Sequence, residues 1–352
     1  MNQRLMLTAV AVIVMILAVA FIQRSNRPDA EVGVGERMLP SLEDRLQYVN
    51  RLQATGQGEQ STLQRVGDQW TIAERGGYRA DRTEVIRVLR ALATADTIEQ
   101  ATAQAAYHSR LGLADPESPT SRGVILEVGF DDDQAEQEPL MLIVGDAAQD
   151  RDGCYARLAS DPQSWLINPC PRAPAAPQDW INAAVIDLNE TVRSLIRTKP
   201  DDGSFEANRA SRDQANLELG GDAPSATLSF PGVIDASARA LLNMVAEDVR
   251  PSAEQQIGDT QRVDTELQLF NGISLIASAY EYDGHKWVQL AATVAESRPA
   301  DDTELVDQVS ALNDRFDGWA FQVSDYTYGE LTKGLQAYLR APDHSDEETD
   351  AN

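Results

Sequence analysis

The chain has 352 residues, of which 30 are basic and 56 acidic, so its formal net charge is −26. A surface of that sign repels polyanions, which excludes nucleic acid and, apart from contact through a membrane anchor, anionic lipid headgroups as partners. A hydrophobic content of 42% is ample for a core, and the length suits an anchor with one or two domains of about 100–200 residues each.

The N-terminus contains one long apolar run, Leu5–Ile22, in which eighteen residues pass without a charge. At about 1.5 Å per residue, a helix of this length just spans the ~30 Å core of a bilayer, so we expect a retained single-pass anchor. A signal peptide cleaved after Ala18–Ala20 and a core helix stay open as alternatives. The basic flanks, Arg4 against Arg24 and Arg27, do not decide the orientation.

Composition divides the remaining chain into four parts. Residues 23–37 are polar and contain proline and glycine, as is typical of a juxtamembrane linker. Two α+β units are predicted next, 38–180 and 181–340, with the proline-rich stretch Pro169–Pro177 near their boundary. The acidic residues 341–352 are expected to form a disordered tail.

The first unit is predicted to begin with strands and to continue with helices. The predicted strands are Tyr48–Leu52, Ser61–Val66 and Gln69–Ala73, and Gly67-Asp68 is a favoured hairpin turn between the last two. Asp81 and Glu84 form a capping-box pattern before an apolar stripe at Val85, Leu89 and Leu92. An alanine-rich helix at Thr97–Ala106 and four strands follow: Gly123–Phe130, Leu140–Val144 and the two arms of a cysteine-containing hairpin.

The only two cysteines, Cys154 and Cys170, flank a strand–turn–strand pattern centred on Pro162. A hairpin symmetric about Pro162 places them opposite one another, where cross-strand Cβ atoms are about 4.5–5.5 Å apart, close enough for a disulfide. Because disulfides persist in oxidising compartments, this pairing favours a body outside the cytoplasm. Two unrelated buried thiols are the alternative.

The second unit repeats part of the order of the first. Predicted strands are Val192–Ile196, Ser204–Ala210, Asn216–Leu219 and Ala226–Phe230. Asp235 is predicted to cap a helix whose stripe, Ala238, Leu242 and Val245, lies 153 residues after the stripe of the first helix. We therefore predict an α+β fold, with an N-terminal transmembrane helix and a mixed, mainly antiparallel body that carries a weak internal duplication of strands plus an N-capped helix.

The C-terminal third has the clearest local signals. Strands at Arg262–Leu269, Ile273–Tyr282 and Lys286–Ala295 are separated by Asn271-Gly272 and Asp283-Gly284, which favour tight hairpins. A helix closed by Gly318 carries its stripe at Leu305, Val309, Leu312 and Phe316, and a strand follows at Trp319–Val323. Thr327 and Glu330 form a second capping-box pattern.

None of the patterns GxGxxG, GxxxxGK(S/T), HExxH and GxSxG occurs in the sequence, so we assign no catalytic, cofactor-binding or metal-ligating residue. Among 56 acidic residues, any choice of a catalytic carboxylate pair is arbitrary. We expect the three histidines, His108, His285 and His344, to lie on the surface. We expect the five tryptophans to pack in the core or on a sheet face, and a ligand platform is the alternative.

The order of several short patterns resembles a bacterial domain-of-unknown-function family that is often encoded beside gliding-motility-type ABC transporters. The likeness covers most of residues 38–340, and no tryptophan precedes Asp235 as the family pattern has it. The residues that carry the likeness are Trp70-Thr71-Ile72, Ala80-Asp81, Tyr107, Leu111–Pro116, Gly145, Gly153, Tyr155-Ala156-Arg157, Trp180, Val185–Leu188, Trp319, Tyr326, Leu331 and Lys333.

The resemblance implies a protein of the bacterial inner membrane whose body lies on the outer, periplasmic face. It implies an ABC permease and its companion extracytoplasmic subunit as partners, together with the lipid bilayer contacted through Leu5–Ile22. Our leading hypothesis is a non-catalytic, membrane-anchored accessory or interaction subunit of such a system. A periplasmic ligand- or glycan-binding module is the alternative, and a hydrolase is less favoured.

Overall fold

The computed structural model describes residues 33–115, 118, 121–131, 139–220, 228–255, 262–295 and 302–340. The predicted anchor, Leu5–Ile22, and the predicted tail, 341–352, lie outside these ranges. Among the helices within them, none is both long and apolar enough to cross a membrane.

Most of the regular secondary structure in the described residues is β-strand. In chain order the strands are β1 (Val49–Gly56), β2 (Glu59–Val66), β3 (Gln69–Ile72), β4 (Tyr78–Arg79), β5 (Asp96–Gln100), β6 (Val124–Phe130), β7 (Leu140–Ala147), β8 (Cys154–Leu158), β9 (Ser164–Asn168), β10 (Val192–Lys199), β11 (Gly203–Asn208), β12 (Glu218–Leu219), β13 (Asp248–Pro251), β14 (Val263–Leu269), β15 (Ile273–Tyr282), β16 (His285–Val294) and β17 (Trp319–Gln322). The α-helices are α1 (Arg82–Thr94), α2 (Ala105–His108), α3 (Val233–Leu242), α4 (Thr303–Phe316) and α5 (Asp325–Thr332).

The predicted α+β class with a mixed body is wrong. The described chain is built mainly from two large sheets whose strands pair antiparallel, and the helices are a minority. Short turns join successive strands, and such turns produce antiparallel neighbours. Part of the predicted helix Thr97–Ala106 is instead the edge strand β5, because Thr97 and its neighbours pair with β9.

The structure contains two compact units, each discontinuous along the chain. The first comprises the described parts of residues 1–47, 88–123 and 141–172, and the second those of 48–87, 124–140 and 173–352. The domain limits predicted above, 38–180 and 181–340, stay a prediction.

In the first unit the strands follow the order β7-β8-β9-β5. Cys154 and Cys170 form a disulfide, with 5.5 Å between their Cα atoms, so the predicted pairing is confirmed. The predicted register is wrong, because Cys154 lies opposite Ile167 and Cys170 lies beyond the end of β9. The turn between the two strands is therefore not centred on Pro162.

The second unit contains an eight-stranded sheet in the order β12-β11-β10-β14-β15-β16-β17-β13, and also the strands β4-β3-β2-β1-β6 in that order. The predicted hairpins at Gly67, Gly272 and Gly284 all form, with φ angles of 61°, 101° and 75°. Glycine adopts these left-handed conformations without steric cost.

The strand order of the eight-stranded sheet repeats that of the other strands. β10 lies between β11 and β14 as β1 lies between β2 and β6, and β15-β16-β17-β13 matches β7-β8-β9-β5. A register irregularity occurs between Val49 and Arg51 in β1, and 143 residues later between Val192 and Ser194 in β10. The two halves of the chain thus share one strand order, with β4 as an additional strand in the first half.

Helix α3 differs from its prediction in detail. It begins after Gly232 and ends at Leu242, so Asp235 lies inside the helix and Val245 lies beyond it, 54% exposed. The Asp235 carboxylate is buried, where it accepts hydrogen bonds from Arg209 at 2.5 Å and from the Leu217 amide at 3.1 Å. Asp235 therefore forms a buried ion pair with Arg209 and does not form the predicted helix cap.

Helix α4 forms as predicted and packs on β16. Its buried residues are Leu305, Val309, Leu312 and Phe316. The Asn313 side chain accepts from the Ala292 amide and donates to the Ala292 carbonyl, both at 2.8 Å. This pair of hydrogen bonds fixes the helix against the strand.

Tyr280 and Trp287 are fully buried side by side on β15 and β16. The Tyr280 hydroxyl donates to Gln255 and accepts from Gln289 at 3.1 Å. Burial raises the pKa of Tyr280 to about 12, although the Gln289 hydrogen bond and the charge of Arg262 act in the opposite direction.

We expect Tyr280→Phe to remove the last tyrosine ionisation seen in an ultraviolet titration of the folded protein. Because folding favours the neutral phenol, the stability that Tyr280 contributes is complete below pH 10.0 and is lost as the pH rises towards about 12. Urea unfolding of wild type and variant across this window measures the loss. Tyr326→Phe is the exposed control, and a late ionisation that survives in Tyr280→Phe contradicts the assignment.

Candidate functional site

The two site residues predicted from the sequence, Cys154 and Cys170, are joined in a disulfide. Cys154 is fully buried and bonded to Cys170, so neither thiol is available as a ligand or nucleophile. Among the residues that the structure describes, no group of three or more His, Cys, Asp or Glu side chains is placed to hold a metal ion.

The histidines and tryptophans also have defined positions. His108 is only 4% exposed and its Nε2 lies 2.9 Å from the Pro162 carbonyl, so its predicted surface position is wrong. His285 is exposed at the start of β16, and His344 lies outside the described residues. Four tryptophans are buried, as predicted: Trp70, Trp165, Trp180 and Trp287. Trp319 is half-buried and its ring lies 4.9 Å from that of Tyr78.

A polar pocket of about 380 Å³ lies in the second unit, at one end of β10, β14 and β15. Helix α5 closes it from the side. The pocket is lined by Lys199, Pro200, Asp201, Val263, Glu281, Tyr328 and Thr332. Its volume is within the usual range of small-molecule sites, about 300–1,000 Å³.

A tight turn positions the first pocket residues. Lys199 ends β10, and its carbonyl accepts from the Asp202 amide at 3.2 Å across Pro200 and Asp201. Gly203 follows with a φ of 74° and pairs with Lys199. Proline at the second turn position and glycine in the left-handed region both favour this three-residue hairpin loop. Lys199 and Asp201 therefore start from a defined backbone.

Lys199 differs from the other two lysines of the chain. Lys286 pairs with Asp325 at 2.5 Å, and Lys333 pairs with Glu330. Lys199 is half-buried, and its ammonium has no ion-pair partner within the described part of the chain. In a protein with 56 acidic residues, one unpaired lysine inside a pocket is a distinctive feature.

Tyr328 provides the α5 side of the pocket. Burial raises the pKa of its hydroxyl, and the nearby Glu281 carboxylate raises it further, so the group is a neutral hydrogen-bond donor at ordinary pH. The Lys286 ammonium lies 5.5 Å from the centre of the Tyr328 ring. This contact orients the ring next to the pocket.

A buried hydrogen-bond cluster lies beside the pocket and holds α5 in place. Arg197, two residues before Lys199 on β10, is only 1% exposed. Its Nε donates to Thr265 at 3.0 Å, and its Nη1 donates to the Lys333 carbonyl at 3.0 Å and to the Tyr338 hydroxyl at 2.6 Å. One guanidinium therefore joins β10, β14 and the segment that follows α5.

The hydrogen bonds of this cluster run in one direction. The Ser237 hydroxyl donates its only hydrogen to Glu330 at 2.8 Å, so at 2.7 Å it accepts from Tyr338. Tyr338 in turn accepts from Arg197, which gives a chain from the guanidinium through two hydroxyls to a carboxylate. Helix α3, through Ser237, is thereby tied to α5.

The cluster keeps an excess positive charge. Arg197 and Lys333 contribute two positive charges against the one negative charge of Glu330, a net of one. Burial lowers the pKa of Arg197, and the Tyr338 hydroxyl and the Glu330 carboxylate counteract that shift. The Nη2 atom of Arg197 is buried and has no hydrogen-bond partner among the residues that the structure describes, so this charge is only partly satisfied.

Sequence reasoning missed both the pocket and the cluster. The predicted strand Val192–Ile196 stopped one residue before Arg197, although Leu195 and Arg197 lie on the same face of β10 by strand alternation. Glu330 was predicted to complete a capping box with Thr327, whereas Ser324 caps α5 by accepting from the Thr327 amide at 3.2 Å. The signal available in the sequence for this cluster was an arginine at a strand position that alternation with Leu195 places on the buried face.

Comparison with known proteins gives one match. A model of the family described as "Domain of unknown function (DUF4340)" matches residues 70–265, which is more than half of the chain. No curated protein and no solved structure matches the chain.

We expect Ser237→Ala and Tyr338→Phe each to lower the free energy of unfolding by about 1–3 kcal/mol, because each leaves buried polar partners unsatisfied. The double variant should lose less than the sum, because both changes break the same chain of hydrogen bonds. Urea unfolding measures all three values. Thr293→Ala, on an exposed strand position, is the control and should change stability by no more than about 0.5 kcal/mol. Strict additivity contradicts a connected chain.

Proposed function

The chain belongs to the DUF4340 family of uncharacterised domains, and from that premise we propose that it is a non-catalytic, extracytoplasmic interaction subunit of an ABC-type transport system. The partners in this proposal are an ABC permease and its companion extracytoplasmic subunit, at the bacterial inner membrane. The disulfide between Cys154 and Cys170 supports a location outside the cytoplasm, because such bonds persist in oxidising compartments.

The observation that carries the interaction role is the solvent-facing side of the eight-stranded sheet, here called the outer face. Its side chains form cross-strand rows set by the strand register. One row is Glu206, Ile196, Glu266, Ile276 and Ala291, and the next is Ser204, Thr198, Asp264, Ser278 and Gln289. All ten residues are exposed or half-buried.

The outer face has the mixed character of a protein interface. A groove of about 260 Å³ runs along it, with the apolar side chains of Ile196 and Ile276 among polar neighbours. The polar groups are already ordered, since Ser278 donates to Asp264 at 2.6 Å and Ser274 donates to Glu266 at 2.9 Å. Specific interfaces combine apolar contacts with ordered polar groups in this way.

A glycan-binding platform of exposed tryptophans has less support. Four of the five tryptophans are buried, and the half-buried Trp319 packs against Tyr78. Sugar-binding platforms need an open aromatic face, which these buried rings do not offer. The outer face, in contrast, is open to solvent and available for the proposed interaction.

We expect a photo-crosslinking amino acid at Ile276 to capture the permease or its companion subunit in intact cells. Ile276→Arg should abolish co-purification of that partner, because a charge in the groove cannot be buried without cost. Val66, which is 65% exposed on β2, is the matched control position for both changes. Equal capture from both positions, or unchanged complexes after deletion of the transporter, contradicts the proposal.

We also expect both cysteines to resist thiol-reactive polymers in cells that are lysed into denaturant without reductant. Two polymer additions should appear after reduction, because the disulfide is the only bond that protects the thiols once the protein is unfolded. Gel mobility measures the additions. Full modification without reductant places the body in a reducing compartment and contradicts the proposed location.

A further inference from the structure

One basic and two acidic side chains line the 380 Å³ pocket and form no ion pair with one another. Lys199, Asp201 and Glu281 all line it, and none of their side chains has a hydrogen-bond or ion-pair partner within the described part of the chain. Here the ammonium and the carboxylates stand apart around an open volume.

The separation is imposed by the backbone. Lys199 and Asp201 lie on either side of Pro200 in the tight turn after β10, and Glu281 lies near the end of β15. β14 lies between these two strands, so the turn and Glu281 are on opposite sides of the pocket. A ligand with both charges can therefore contact Lys199 and an acidic side chain at the same time.

The other lining groups add an apolar wall and hydroxyl groups. Val263 is buried, and Pro200 and the Tyr328 ring lie beside it around the pocket. The Thr332 hydroxyl donates to the Tyr328 carbonyl at 2.8 Å, so only its lone pairs are available to a ligand. The pocket thus has a cation, two carboxylates, one neutral donor and an apolar wall.

Charge excludes the simplest ligands. A pure anion is repelled by Asp201 and Glu281, and by a chain with a net charge of −26. A pure cation can pair with Asp201 or Glu281, but it leaves the Lys199 ammonium without a counter-ion and is repelled by the excess positive charge of the neighbouring Arg197 cluster. A molecule that carries one carboxylate and one ammonium can pair with Lys199 and with an acidic side chain at the same time.

We propose that this pocket binds a free α-amino acid with an apolar side chain. The ligand carboxylate pairs with the Lys199 ammonium and accepts from the Tyr328 hydroxyl, and the ligand ammonium pairs with Glu281 on the opposite side of the pocket. The side chain lies against Pro200 and Val263. This binding role goes beyond the interaction role and does not depend on it.

Three probes of one shape test the assignment by isothermal titration calorimetry on the full-length protein. They are L-leucine, L-leucinamide, which lacks the carboxylate, and N-acetyl-L-leucine, which lacks the ammonium. We expect L-leucine to bind, and each derivative to bind about tenfold or more weakly, a loss of about 1.4 kcal/mol.

Two variants distinguish the roles of the charges. Lys199→Gln should weaken L-leucine about tenfold and remove its advantage over L-leucinamide, while its advantage over N-acetyl-L-leucine remains. Glu281→Gln should have the converse effect. Arg212→Gln removes the same charge from an exposed position paired with Glu190 and should change nothing. Circular dichroism and thermal unfolding confirm that each variant is folded.

Several outcomes overturn the proposal. Equal binding of the three probes removes the need for both charges, and full binding by Lys199→Gln removes the carboxylate contact. Failure of L-leucine, L-valine and L-phenylalanine alike to bind at millimolar concentration also overturns it. None of these results affects crosslinking from Ile276, so the two proposals fail independently.

Discussion

The buried guanidinium of Arg197 is the constraint on which the described core of the second unit depends. A charge inside a core is costly unless polar groups surround it, and the fold supplies Thr265, Tyr338 and the Lys333 carbonyl. Two of these three partners lie after α5, so the guanidinium can be satisfied only when that segment is docked on the sheet. Docking places Tyr328 and Thr332 at the pocket, which makes the pocket a consequence of the buried charge.

The repeated topology shows that this arrangement belongs to one half of the chain. The 143-residue offset between β1 and β10 aligns Leu52 with Leu195, and both are fully buried. The same offset aligns Ala54 with Arg197 and Gly56 with Lys199. An ordinary apolar strand position in the first copy is therefore a buried charge in the second. The same strand order therefore carries an apolar residue at this position in the first half of the chain, and a buried polar cluster beside a pocket in the second.

Local signals predicted local structure well and long-range structure poorly. The hairpin turns at Gly67, Gly272 and Gly284 formed because two residues are enough to specify them. The stripe of α4 was correct, because a continuous helix displays its buried face in its own sequence. The helix predicted at Thr97–Ala106 was wrong, since the edge of a sheet offers hydrogen bonds that outweigh a modest helix propensity. The predicted disulfide was correct and its register was wrong, because Cys170, beyond the end of β9, can still reach Cys154 in β8.

The sequence by itself determined the charge of the molecule, its cysteine pair, its family resemblance and the hairpins of its C-terminal third. These depend on composition or on residues a few positions apart. Tertiary structure alone decided that Arg197, Ser237, Glu330 and Tyr338 meet and that His108 is buried. It also decided that Lys199 has no ion-pair partner among the described residues. The physical reason is distance along the chain. Arg197 and Tyr338 are 141 residues apart, and only the strand order of the folded sheet brings such residues together.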